Sequence, residues 1–254
     1  MSKKLLPEPA SNEAGALLTT PLQRRAFLRY SGAGLALTGL ALTSSCDDDN
    51  DDPSTNNLVN VGSEDIGVLN YAYALEQLEF AFYTQVQAGN YYKGLSPTSA
   101  EKQVLDDLTL HEKAHVDFLR NALGSNAIKS LEADFSAINF GERSAVLNAA
   151  KTFEDLGVAA YNGAGRYIKQ APNLVLAGKI VSVEARHAAL IRDILQYNSF
   201  VGADVVDLYT PGTGGVGSGT VGTGKERSLK PSQVVVSANA YLKEGSKLNV
   251  SQLG

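Results

Sequence analysis

Two of the three histidines in this 254-residue chain stand in the same local pattern, Glu112-Lys113-Ala114-His115 and Glu184-Ala185-Arg186-His187. Each pattern is preceded by a glutamate with a tyrosine seven residues on, Glu76…Tyr83 and Glu154…Tyr161. On an α-helix, residues three apart share a face about one turn apart, so each Glu–His pair can converge on one point. Seven residues make two turns, which returns each tyrosine to the face of its glutamate roughly 10 Å along the axis. Carboxylate and imidazole are metal-ligand types, and the order Glu…Tyr, Glu-x-x-His, Glu…Tyr, Glu-x-x-His is an internal duplication of them. A single Glu-x-x-His is weak: with 13 glutamates in the chain, one stands three before a given histidine by chance about one time in twenty. Two of three histidines, each led by the same Glu–Tyr pair, are poorly explained that way. The bland alternative, exposed Glu–His pairs on a helix bundle, conflicts with the helix register.

That register comes from apolar residues at 3-4-3-4 spacing in four segments. The first should run from an N-cap at Ser63 to about Ala88, with the stripe Ile66, Leu69, Tyr73, Glu76, Phe80, Tyr83. The second should start at a Thr98-x-x-Glu101 capping box and stop at Leu123 before Gly124, with Leu105, Leu108, Glu112, His115, Leu119, Ala122. A loop over 125–140 leads to a third helix from about Glu142 to Lys169, with Leu147, Ala150, Glu154, Gly157, Tyr161, Ala164, Ile168. The fourth should cover about Asn173–Tyr197, with Leu174, Ala177, Val181, Glu184, Ala188, Ile191, Leu195. Every stripe is broken mid-helix by one glutamate. A carboxylate facing a core is costly unless paired, protonated or bound to metal. Four at similar heights would repel, and cations are the economical remedy.

The pattern resembles the ferritin-like di-metal carboxylate superfamily, with a Glu from each of two helices and Glu-x-x-His from the other two. Leu75-Glu76-Gln77-Leu78-Glu79-Phe80-Ala81-Phe82-Tyr83 is similar to the first helix of exported ferritin-like-domain proteins, a group that includes plant desiccation-related proteins. The resemblance spans roughly 63–200. It implies an all-α, ferritin-like antiparallel four-helix bundle with a C-terminal extension. It also implies Glu76, Glu112, His115, Glu154, Glu184 and His187 as ligands of two Fe or Mn ions, the Glu-x-x-His carboxylates bridging. Tyr83 and Tyr161 would donate to the opposite carboxylates, or be amphipathic core tyrosines. Glu79, three residues after Glu76, could replace or supplement it. His111 sits toward the stripe's edge, beside the ligands or at the surface, where Asp107 could bond it.

The ends of the chain read differently. Gln23-Arg24-Arg25-Ala26-Phe27-Leu28-Arg29 followed by an apolar run from Ala33 to Thr43 resembles a twin-arginine export signal over 1–45; a disordered terminus with a chance Arg-Arg is the alternative. The run is too short for a permanent span of about 20 residues. Cys46, the only cysteine, follows Leu42-Thr43-Ser44-Ser45 and precedes an acidic run, which resembles a bacterial lipobox with Thr43 where leucine is usual. Lipidation of Cys46 would anchor the protein to a membrane; ordinary cleavage with an incidental cysteine is the alternative. Residues 46–62 read as an acidic linker. Within 201–254, residues 211–224 form a glycine-rich loop, and Ser232–Tyr241 could form a short helix packed on the bundle. Gly219 to Lys225 begins like a phosphate loop, but Glu226 replaces the required Ser/Thr.

Net charge is −5, and −8 once 1–45 is removed, with no basic stripe, so nucleic acid is not an expected partner. The expected protein is exported, periplasmic or on the cell surface, and meets metal ions and O2 or peroxide. Ferroxidase-type or catalase-type oxidation is one reading. A metal-binding or stress-protective envelope protein without turnover is the other. An oligomer is compatible with the fold, although the tail and anchor disfavour a closed cage.

Overall fold

Four long helices form where the apolar spacing runs: α1 (Glu64–Ala88), α2 (Ala100–Leu123), α3 (Arg143–Ala164) and α4 (Ala171–Leu195). They are seen in a computed structural model that describes residues 57–207 and 222–253. The signal-like segment, Cys46 and most of the glycine-rich run lie outside the described residues. Contacts between helices give their directions. Glu76 meets His115 and Gln87 meets Asp106, so α2 descends beside α1. Glu154 meets His187 while Arg143 reaches Ile194, so α4 is antiparallel to α3. Tyr83 meets Glu154 and Tyr161 meets Glu76, so α3 is antiparallel to α1. Helices α2 and α3 therefore run the same way, and the segment between them must travel the bundle's length. It does so along α1: Ile128 N–H donates to Asn70, Leu131 N–H to Gln77, and Tyr91 N–H to Phe140.

This crossover is more than a loop. Its Phe135 and Phe140 pack on Phe82 of α1, which also meets Phe153 of α3. A C-terminal element closes the same side. Helix α5 (Pro231–Ala238) buries Val234 and Ala238, and strand β2 (Leu248–Asn249) pairs in parallel with β1 (Val59–Asn60). Val59 and Val61, within the segment read as linker, are consequently buried. Covered on nearly every side, α1 buries Leu69, Tyr73, Glu76 and Tyr83 of the expected stripe, with Phe80 half-buried, and also Val68, Tyr71, Leu75, Leu78 and Phe82. The expected stripe is displaced at its ends: Ile66 on α1 and Leu174 on α4 are exposed.

The helix ends differ from expectation for identifiable reasons. Ser63 occupies the N-cap position but makes no side-chain cap bond, because Glu64 takes φ +52° and redirects the first turn. The cap of α2 is Ser99, whose Oγ accepts from Lys102 N–H, not Thr98. Glu101 is taken by Tyr91 and by the Arg143 guanidinium, whose Nη2 also reaches Ile194 O, so one arginine links the ends of α2, α3 and α4. Helix α3 stops at Ala164, not Lys169, because buried Asp65 of α1 accepts from Lys169 N–H, Gln170 N–H and Asn173 Nδ2. Two backbone donors just before α4, and the Asn173 side chain in its first turn, are thus satisfied by another helix.

The tail crosses α3 at Gly163, where Leu229 N–H donates to Ala159 O. A Cβ on Gly163 would lie 1.7 Å from Leu229 O, a backbone clash no rotamer relieves. Gly163→Ala should destabilise the protein by about 1–3 kcal/mol and make residues 227–253 more susceptible to proteolysis. Denaturant melts and limited digestion check this; unchanged protection of the tail would count against the tail's seat on α3.

Candidate metal centre

The bundle places the duplicated residues at one level. Glu76 comes from α1, Glu112 and His115 from α2, Glu154 from α3, and Glu184 and His187 from α4. All four carboxylates are fully buried. Their donor atoms fall into two groups, each with its atoms within 4.8 Å of one another: Glu76, Glu112, His115, Glu184, and Glu112, Glu154, Glu184, His187. Glu112 and Glu184 belong to both.

The two imidazoles face inward through Nδ1. His115 Nδ1 lies 2.8 Å from Glu184, 3.2 Å from Glu76 and 3.5 Å from Glu112. His187 Nδ1 lies 2.9 Å from Glu112, 3.3 Å from Glu184 and 3.5 Å from Glu154. Of these contacts only His115 Nδ1 with Glu76 Oε2 is a hydrogen bond. Both oxygens of Glu112, both of Glu184, Glu154 Oε2 and His187 Nδ1 are buried with no hydrogen-bond partner among the described residues. Buried polar groups are normally satisfied, and an unpaired buried carboxylate is among the most expensive exceptions. Apart from the His115–Glu76 hydrogen bond, these donors converge on a common space without bonding one another, which fits a set made for cations, and these buried groups could bind metal.

The tyrosines reach across the bundle. Tyr83 of α1 donates to Glu154 Oε1 of α3, and Tyr161 of α3 donates to Glu76 Oε1 of α1, each at 2.5 Å. The duplication thus appears as two crosswise Tyr–Glu bonds. Each fixes one oxygen of a carboxylate and leaves the other toward the centre.

The other two candidates lie elsewhere. Glu79 is buried but belongs to neither donor group, and no described residue bonds or ion-pairs with its carboxyl. It occupies a niche beside Gly157, where a Cβ would come 2.7 Å from its Oε1. Gly157 follows Glu154 by the same three residues that separate Glu79 from Glu76, so the second half is emptied where the first is filled. His111 is exposed, yet its Nδ1 is 2.9 Å from Nε2 of His187. That bond replaces the expected one to Asp107, because His111 faces α4 across the helix pair. Sequence periodicity places residues on faces of one helix and does not show which neighbour a flank residue meets.

In the metal-free protein, protons take the role of cations. Burial alone would lower the imidazoles, but the surrounding carboxylates raise His115 and His187 to about 12. Burial, then the charge of Glu184, pushes Glu76 and Glu79 well above the carboxylate range. Burial likewise raises Glu154 to about 8. Glu112 moves the other way: burial opposes its ionisation, yet the two imidazoles beside it hold it down to about 2.

Comparison with known proteins matches residues 64–197 to a family described as ferritin-like domain, a span that takes in all four helices. None of the curated proteins matches the chain.

Raised groups bind more protons folded than unfolded, so stability falls as pH rises from the unfolded value to the folded one. The raised carboxylates act above about pH 4.5 and the histidines above about 6.5. The depressed Glu112 contributes the opposite slope only between about 2 and 4.5. The chelator-treated protein should therefore lose stability between pH 5 and pH 8, by about 1.4 kcal/mol per pH unit for each excess native proton. Metal-loaded protein should gain stability over the same range, because binding displaces those protons. Thermal melts of both forms test this; a metal-free melting temperature rising steadily from pH 5 to 8 contradicts it.

Proposed function

Because this chain belongs to the ferritin-like domain family, we propose that its core is a dinuclear iron or manganese centre working with O2 or peroxide. Glu76 and His115 would hold one ion and Glu154 and His187 the other, with Glu112 and Glu184 available to both. The observation that carries this reading is the sharing: both Glu-x-x-His carboxylates belong to both donor groups, and all four of their oxygens are buried without hydrogen bonds. Oxygen-rich ligation with one imidazole per ion suits iron or manganese. Two such ions supply a two-electron couple for O2 or peroxide.

The chain's own residues bind, orient and exclude. Four carboxylates balance the charge of two divalent ions. Tyr83 and Tyr161 prevent Glu154 and Glu76 from turning away. Apolar side chains close both ends, with Leu69, Tyr73 and Leu119 in one cluster and Phe82, Phe153 and Leu105 in the other, which keeps the carboxylates' environment dry. The complete burial of the carboxylates restricts access to small molecules, and it also favours a second reading, a protein that holds metal protectively without turnover.

Elemental analysis of protein from its native compartment should find about two Fe or Mn per chain. Glu112→Ala or Glu184→Ala should abolish the pair, Glu76→Ala should weaken one subsite, and Glu79→Ala should matter less. Iron-loaded protein should consume O2 on ferrous addition, and manganese-loaded protein should disproportionate peroxide. Stoichiometric metal without either activity favours the protective reading. No stoichiometric metal, with Glu-to-Ala variants as stable as the parent, removes the dinuclear centre altogether.

We also propose that the protein works outside the cytoplasm, exported by the Arg24-Arg25 signal and lipid-anchored through Cys46. Among the described residues no helix is long and apolar enough to cross a membrane, so attachment in this reading rests on Cys46. Replacing both arginines by lysine should retain the protein in the cytoplasm, and Cys46→Ala should release it from membranes. Fractionation that finds both variants at the membrane like the parent overturns this address.

A further inference from the structure

Apart from Glu79, whose counterpart in the second half is Gly157, the two halves of the centre match closely except on the outer side of the imidazoles. His187 Nε2 is bonded by His111 Nδ1 at 2.9 Å, with the two rings nearly parallel. The hydrogen bond and ion-pair contacts of His115 among the described residues all run through Nδ1, and its side chain is 13% exposed against 5% for His187. His111 stands four residues before His115. The residue four before His187 is Val183, which has no group to bond an imidazole. One half of the duplication therefore carries an outer hydrogen-bond partner for the opposite histidine, and the other half carries an isopropyl group.

We infer that His111 is a positioning residue that makes the two metal subsites unequal: the His187 subsite is preorganised and fills first, and the His115 subsite fills second. This rests on the dinuclear reading above. When Nδ1 of His187 gives its lone pair to a cation, Nε2 keeps the proton and donates it to His111 Nδ1. That bond fixes the ring angle of His187 before the ion arrives, keeps the proton on Nε2 when Nδ1 gives up its own to the ion, and raises the ligand's basicity. An outer partner of this kind changes metal affinity by about 10–100-fold; exposure of His111 places the effect near tenfold. Among the described residues His115 Nε2 has no such partner, so its ring is held only by the inward contacts of Nδ1.

The test is calorimetric titration of the metal-free full-length protein with Co2+ under anaerobic conditions, with the Co2+ absorption bands followed in parallel. The parent should take two ions in two steps. Repulsion between cations alone would also produce two steps, but would make His115→Ala and His187→Ala alike. Unequal subsites predict that His115→Ala keeps the tight step and His187→Ala keeps only the weak one. His111→Val should weaken the tight step about tenfold and leave the weak one in place. His111→Asn, whose Oδ1 can accept the same proton, should restore it, and Val183→His should tighten the weak step. Identical behaviour of the two single-histidine variants overturns the inference, as does a His111→Val titration unchanged from the parent or weakened equally in both steps. A parent that binds fewer than two ions removes the dinuclear reading itself, whereas two ions bound with symmetric variants removes only the inequality.

Discussion

Everything in this protein is arranged around carboxylates that water cannot reach. Glu76, Glu112, Glu154 and Glu184 have no exposed surface, and Glu79 is buried beside them. Their mutual repulsion and lost hydration would, alone, drive the four helices apart. The fold answers with opposing charge at the same level, supplied by the imidazolium groups and bound protons, and in the proposed loaded state cations would take that role. The bundle's stability and its occupancy are consequently one quantity, since whatever neutralises the core also holds α1 to α3 and α2 to α4. The crosswise Tyr–Glu bonds tie the pairs that would otherwise part first.

Rigidity at this level is maintained from the ends. At one end, Arg143 joins Glu101 of α2 to the Ile194 carbonyl near the end of α4. At the other, Asp65 of α1 accepts three donors from the α3–α4 turn. Arg192, almost fully buried, grips Asp155 of α3 and Asp204 beyond α4 with paired bonds to each. Such pairs add little net stability over apolar packing, but their geometry is directional. They fix the helices' rotation and height, which is what a set of ligands drawn from four helices requires.

The bundle itself was legible in the sequence, because each stripe of Leu, Ala and Ile at helical spacing describes a single helix. So were the Glu-x6-Tyr pairs, whose two-turn spacing put both groups on one face. What stayed hidden depends on contacts between segments far apart in the chain. The all-round burial of α1 comes from a crossover whose Phe135 and Phe140 are too widely spaced to show a period, and from a tail some 170 residues later. The early stop of α3 is set by Asp65, about a hundred residues upstream. Glu79 looked interchangeable with Glu76 on its helix; only the position of Gly157 on the facing helix gives it a niche of its own. His111 was ambiguous for the same reason, since its partner belongs to α4.

The parallel pairing of Val59–Asn60 with Leu248–Asn249 has a consequence for the order of synthesis. The outer face of α1, with Leu75, Leu78 and Phe82, joins one apolar cluster with Leu242, Leu248, Val250 and Leu253. A ribosome makes α1 well before these partners, because the crossover, α3, α4 and α5 all lie between them in the chain. Until they are made, the nascent chain carries an incomplete cover over that face of α1. A truncation that removes them but spares every candidate metal-binding residue would likewise leave that helix face uncovered.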